Sequence, residues 1–233
     1  AMLDGVAEQV GQRLRDACNT LLHLDHARLA PAVSAAAGVP LTARQLAAAA
    51  PAAARALEAT RGSDRDRARR YLELLFGAAG VPHDRLDAVR RMLAALHAER
   101  SLWSGVSPDT IPALERLRSA GVRLGVVSNS DGGVEEALRA AGLRSLFEVV
   151  VDSAQVGVEK PDPRIFAPAL TALAVRPSDT LYVGDVYAVD VVGARRAGLE
   201  AVLLDRALDT AAAVGDVWTV PSLGQLVDEL LAA

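Results

Sequence analysis

The hydrophobic period of this chain changes near residue 105, and that change does most to limit what it can fold into. Beyond that point lie the short apolar runs Val122–Val127, Phe147–Val151, Leu181–Val183 and Ala201–Leu204. They are near-continuous rather than alternating, as expected of strands covered on both faces. Helical stretches separate them. One starts with Ser107 as N-cap and Pro108 in its first turn and ends at Gly121. Others run from about Asp131 to Ala141, onward from Asp162-Pro163, and around Tyr187–Ala197. Strands alternating with helices in this way predict an α/β protein with a Rossmann-like, doubly wound parallel sheet. Such sheets bind ligands beyond the carboxyl ends of their strands, so the polar residues at those ends are the first candidates for function.

Residues 24–100 read differently. Gly38 and Pro40 form a stop, and Thr42 with Gln45 forms a capping box. Ser63 is placed to cap a helix whose stripe runs through Tyr71, Leu72, Leu75 and Phe76 to a stop at Gly80. Pro82 precedes a further helix carrying Leu86, Val89, Leu93 and Leu96. Four amphipathic helices with short breaks predict an all-helical, four-helix subdomain. The expected division is a core of 1–23 and 101–233, with 24–100 inserted as a cap.

Charge and composition exclude several classes. A net charge of −4 gives no electrostatic reason to expect nucleic acid or an anionic membrane as partner. The single cysteine, Cys18, excludes an intrachain disulfide and a cysteine-based zinc site. The first fifteen residues carry Asp4, Glu8, Arg13 and Arg15 without an apolar block, and the alanine run Ala47–Ala54 is interrupted by Pro51. A cytoplasmic protein is the expectation.

At the predicted strand ends stand Ser128-Asn129-Ser130, then Asp152 with Lys160-Pro161-Asp162-Pro163 further along, then Gly184-Asp185 with Asp190 five residues on. Each has an ordinary reading taken alone. Ser128 and Asp185 would cap helices, Asp190 would be a solvated helix residue, and Lys160 a surface cation. Together they place a hydroxyl, an ammonium and two carboxylates at one sheet edge. Carboxylates are hard oxygen ligands suited to Mg²⁺, and a lysine beside a hydroxyl suits a phosphoryl group whose charge needs neutralising.

The segments Val-Val-Ser-Asn (126–129), Val-Glu-Lys-Pro-Asp-Pro (158–163) and Gly-Asp-Val-Tyr-Ala-Val-Asp (184–190) resemble motifs two, three and four of the haloacid dehalogenase (HAD) superfamily. Asp16-Ala17-Cys18-Asn19-Thr20-Leu21 is the best match to the family's first motif, and the helical stretch follows it, where the family's cap commonly lies. The resemblance implies that Asp16 is a nucleophile that forms an aspartyl-phosphate which water then hydrolyses. It implies Mg²⁺ held by Asp16, the backbone carbonyl of Cys18 and Asp185, with Asp190 in support. Ser128 would hydrogen-bond a phosphoryl oxygen, Lys160 would neutralise charge, and Thr20 and Asn129 would contact substrate. The implied partner is a small-molecule phosphate ester.

Two features depart from the family pattern. Cys18 stands where the family's phosphatases carry a general acid–base aspartate, and a thiol with a reference pKa near 8.5 is a poor proton donor to an alkoxide. Ahead of Asp16, Gln12-Arg13-Leu14-Arg15 would put two arginines on one face of a buried strand, while Val6, Val10, Leu14, Ala17 and Leu21 fit helical spacing over 4–22 equally well. These departures leave a catalytically silent binding or regulatory protein open as the alternative to a phosphatase. A 2-haloacid dehalogenase also lacks the second aspartate of motif one, but it uses no Mg²⁺, whereas Asp185 and Asp190 resemble the metal-binding form. His23, His26, His83 and His97 receive no role. An exposed apolar stripe on the helical segment would make a homodimer unsurprising.

Overall fold

A computed structural model of the chain describes residues 12–15, 20–57, 64–206, 208, 212–214 and 216–232. The chain divides into two compact units, 1–23 with 106–233 and 24–105.

The chain order begins with β1 (Gln12–Arg15) and the two-residue β2 (His23–Leu24). Then come α1 (His26–Ala37), α2 (Ala43–Leu57), α3 (Asp64–Ala78) and α4 (Leu86–Glu99), followed by β3 (Trp103–Gly105), which pairs with β2. Asp25 caps α1 by accepting from the Arg28 N–H at 3.0 Å, and Gly38 ends it in the left-handed conformation at φ 70°. Thr42 and Gln45 form the reciprocal capping box: Gln45 N–H donates to Thr42 Oγ1 (3.2 Å) and Thr42 N–H donates to Gln45 Oε1 (2.9 Å). The Arg28 guanidinium donates to the carbonyls of Leu96, Arg100 and Ser101, which ties α1 to the end of α4. Leu29, Val33, Leu46, Leu75, Phe76 and Val89 fill the core of this unit.

The other unit continues with α5 (Thr110–Ser119), β4 (Arg123–Ser128), α6 (Val134–Ala140), β5 (Val149–Asp152), α7 (Ser153–Val156) and α8 (Ala167–Ala172). It is completed by β6 (Thr180–Gly184), α9 (Val192–Arg196), β7 (Glu200–Leu204), β8 (Ala212–Val214), β9 (Val217–Val220) and α10 (Leu223–Ala232). Seven strands form one sheet in the order β5-β4-β1-β6-β7-β9-β8, parallel except for the β8–β9 pair. Val127, Val151, Phe166, Tyr182, Val191 and Ala194 form one buried cluster joining strands to the segments that precede and follow β6.

One open alternative is decided and one expectation is corrected. Of the two readings of the segment before Asp16, the strand holds for Gln12–Arg15 and the helix over 4–22 does not: these residues pair on both sides, with β4 and with β6. Two parallel ladders engage its backbone N–H and C=O groups, which outweighs a periodicity that helix and strand share. The helix expected from Ser107-Pro108 begins at Thr110 instead. Ser107 O accepts from Thr110 N–H in a preceding turn, and the Asp109 carboxylate bonds the Gly224 N–H rather than capping its own helix.

The topology positions the site. From β1 the chain crosses to β4 and β5 on one side, then returns to β6 and β7 on the other. The strand order therefore reverses at β1, and the crevice at such a switch point lies beyond the carboxyl ends of the strands.

Candidate active site

Three strands end together at this switch point. Arg15, the last residue of β1, is level with Val126 of β4 and Val183 of β6. Two residues beyond Val126 comes Ser128, paired in register with Asp152 at the end of β5. Two residues beyond Val183 comes Asp185.

The loop leaving β4 is held by β5. Asp152 is buried, and its Oδ1 accepts from the backbone N–H groups of Gly132 (3.2 Å) and Ala154 (3.0 Å) while Oδ2 accepts from Val134 (3.3 Å). The neighbouring Ser153 hydroxyl accepts from Ser130 N–H and donates to Ser130 O, both at 3.0 Å. Loop backbone that would otherwise meet water is thus satisfied internally, and the fully buried Ser128 is held in place.

Asn129 carries that order to the next segment. Its Oδ1 accepts from Lys160 N–H at 2.8 Å and its Nδ2 donates to Lys160 O at 3.1 Å. The Lys160 side chain, 2% exposed, then reaches Asp190 Oδ1 at 2.7 Å and the Tyr182 hydroxyl at 2.8 Å. Lys160 is the single lysine of the sequence; all the other residues among its 25 lysines and arginines are arginine. A compact ammonium at this buried point is a role the planar guanidinium fork does not fill.

Asp190 lies in one π-helical turn, Tyr187–Val191, inserted between β6 and α9. Its second oxygen, Oδ2, accepts from the backbone N–H groups of Asp185 (3.1 Å) and Val186 (2.8 Å). A Cβ on Gly184 would lie 2.4 Å from the Asp190 Cβ, so only glycine lets Asp190 close over the end of β6. The half-buried Asp185 therefore stands on a backbone fixed by Asp190.

Ser128, Asn129, Lys160, Asp185 and Asp190 are brought together in this way. Asp190 has both carboxylate oxygens on protein donors and acts as a brace. The Asn129 carboxamide is engaged with the Lys160 backbone. Thr20 is fully buried, its carbonyl accepts from Arg206 Nη2 at 3.1 Å, and among the described residues its hydroxyl has no hydrogen-bond partner. Asp16 and Cys18 lie outside the described residues. Among the described residues, no three His, Cys, Asp or Glu side chains are grouped to hold a metal. Asp185 carries a hard carboxylate oxygen, the kind of ligand that Mg²⁺ takes.

The family model of haloacid dehalogenase-like hydrolases matches residues 13–198. The chain belongs to this family. The HAD-like chain is 37% identical over 139 residues to the glyceraldehyde 3-phosphate phosphatase of Methanopyrus kandleri, covering 59% of each protein. It is 38% identical over 154 residues to the phosphoserine phosphatase of Thermus thermophilus, covering 66% of this chain and 59% of that one. The chain thus spans about three fifths of the length of these relatives. In fold it is similar to YfnB of Bacillus subtilis, a structure solved bound to magnesium, with TM-score 0.65, 18% identity and coverage of 96% and 99% of the two chains.

Sequence reasoning missed three parts of this HAD-like site. Tyr182 was hidden inside an apolar run, although a hydroxyl two residues before Gly184-Asp185 is itself a signal. The Ser153 brace and the Arg206 contact to Thr20 carry no local signal, because each depends on two segments distant in sequence.

Proposed function

We propose that this HAD-like hydrolase cleaves small phosphate monoesters through an aspartyl-phosphate on Asp16, with Mg²⁺ as cofactor. The observation that carries the reading is the buried Lys160 ammonium, held between Asp190 and Tyr182 at the sheet edge that Ser128 and Asp185 share. The phosphatase activities named for the two sequence relatives support it.

In this reading the Asp16 carboxylate forms the new P–O bond while the bond from phosphorus to the ester oxygen breaks. Water then attacks phosphorus, releasing phosphate and restoring the carboxylate. Lys160 places positive charge beside the nucleophile and the phosphoryl oxygens, and Ser128 donates to one of those oxygens. Mg²⁺ held by Asp16, the Cys18 carbonyl and Asp185, with Asp190 in support, would supply further charge neutralisation. With Cys18 at the acid position, the departing oxygen takes its proton from water, which favours esters whose leaving group needs none. The helical unit at 24–105, inserted after the first motif, is the part to vary for substrate choice.

The test is turnover of p-nitrophenyl phosphate with and without Mg²⁺, beside Asp16→Asn. Turnover that requires Mg²⁺ and is abolished in the variant supports the reading. No turnover above the variant overturns it in favour of a binding protein, and chloride release from 2-chloropropionate without metal would replace it with dehalogenation.

A further inference from the structure

The Tyr182 hydroxyl sits where three parts of the site meet, and Tyr182 lies outside the four motif segments 16–21, 126–129, 158–163 and 184–190. Tyr182 is fully buried, its ring fixed edge-on against Phe166 with centroids 4.9 Å apart and planes at 86°. Its oxygen lies 2.8 Å from Lys160 Nζ and 2.9 Å from Val127 O. The direction of each bond follows from chemistry. A carbonyl only accepts, so the single phenolic proton goes to Val127 O, and the phenol oxygen presents its lone pairs to the Lys160 ammonium, which only donates. Asp190 Oδ1, at 3.5 Å, is the more distant acceptor.

We infer that Tyr182 is a positioning residue: its hydroxyl aims the Lys160 ammonium and ties it to the backbone carbonyl that precedes Ser128. β1 lies between β4 and β6, so the Tyr182–Val127 bond reaches past the strand that leads to Asp16 and joins its two neighbours. One hydroxyl thereby couples motif two to motif three across the nucleophile strand. A directed bond to the phenol oxygen narrows the positions open to an ammonium on a flexible lysine stem more than an ionic contact does by itself. The catalytic part of this inference rests on the phosphatase reading; the contact itself does not.

Because Lys160 is the single lysine, ¹⁵N-lysine labelling yields one side-chain ammonium signal with no assignment problem. Two proteins are compared, wild type and Tyr182→Phe, by this signal, by thermal melting, and by kcat and KM on p-nitrophenyl phosphate. The expected result is a shifted ammonium resonance with faster hydrogen exchange in the variant, and kcat lower by about ten- to a hundredfold with KM nearly unchanged, the range for losing a hydrogen bond to a charged group. An unchanged resonance and exchange rate overturns the inference, as does unchanged kcat where the wild type turns over. If the wild type shows no turnover, the phosphatase reading fails, and the ammonium signal still decides whether Tyr182 holds Lys160. Melting temperatures within a few degrees of each other separate loss of aim from loss of fold.

Discussion

Asn129 and Lys160, 31 residues apart in sequence, hold each other like a pair of strand residues: one carboxamide meets both the N–H and the C=O of the lysine backbone. The end of β4 thereby dictates where the ammonium starts from, before Asp190 and Tyr182 fix where it finishes. Asn129→Ala leaves two buried backbone groups without their partner, an expected cost of about 1–3 kcal/mol. For a chain of this size each kcal/mol lowers Tm by roughly 2–4 °C. Asn129→Asp keeps the acceptor but turns the donor into an oxygen facing the Lys160 carbonyl, so it should be the worse of the two. Thermal melts of both variants check the order.

Gly184 tests how tightly the carboxylate end of the site is built. The clash of an added Cβ is with the Cβ and carboxyl of Asp190, both close to the backbone, so no flexible side-chain tip can swing away. Gly184→Ala should displace Asp190, weaken its bonds to Asp185, Val186 and Lys160 together, and cost about 1–3 kcal/mol or more. Chemical denaturation with a turnover assay should show stability and activity falling together; a variant that keeps both would mean Asp190 has room to retreat.

The Lys160–Asp190 pair has both side chains 2% exposed, which makes the result of breaking it predictable in sign. Removing either partner takes a charge-assisted contact from the other inside the fold, so Lys160→Met and Asp190→Leu should each lose about 3–5 kcal/mol. The double variant should recover part of that loss, because neither charge of the pair is then left to be compensated. Urea unfolding of the three proteins measures it, and strictly additive losses would show that the pair is not coupled.

How much of this was open to the sequence depends on distance along the chain. Ser128, Asn129 and Asp185 are legible because they follow apolar runs that read as buried strands, and strand ends are where such sheets bind ligands, whereas Lys160 and Asp190, further along, stand out through the resemblance to the family motifs. The interior strand Gln12–Arg15 stayed ambiguous, since its arginines contradict a buried strand and its spacing suits a helix; only the two parallel ladders decide it. Tyr182 read as one more apolar residue because its hydroxyl matters only once Val127 and Lys160 stand beside it. Pro108 reads as the first turn of a helix, and the structure has it in a turn before Thr110, where Asp109 bonds Gly224, 115 residues away, rather than its own helix.

Asp162 gives a pH prediction. Its carboxylate caps the turn after Lys160-Pro161 by accepting from Arg164 N–H, and the Arg164 guanidinium beside it lowers its pKa from 3.8 to about 2. A carboxylate whose folded pKa is depressed stabilises the fold above its unfolded value, and that contribution is lost as pH falls from 3.8 towards 2. Asp162 is solvent-facing, so salt screens the effect. NMR titration of the Asp162 carboxyl should report a pKa near 2, and Arg164→Ala should return it towards the ordinary value; a titration unmoved by that variant would place the cause elsewhere.

Cys18 separates the chemistry of the leaving group from the rest of the machinery. Under the proposed reaction, the thiol replaces a positioned acid whose contribution is about 10²–10⁴-fold where the departing oxygen needs a proton. Cys18→Asp should therefore raise kcat/KM on alkyl phosphates by a factor in that range. On p-nitrophenyl phosphate, whose leaving group departs without protonation, the same substitution should change little. The diagnostic quantity is the ratio of the two gains, since a general improvement in folding or metal affinity would raise both substrates alike. A ratio near one would mean that position 18 does not face the departing oxygen.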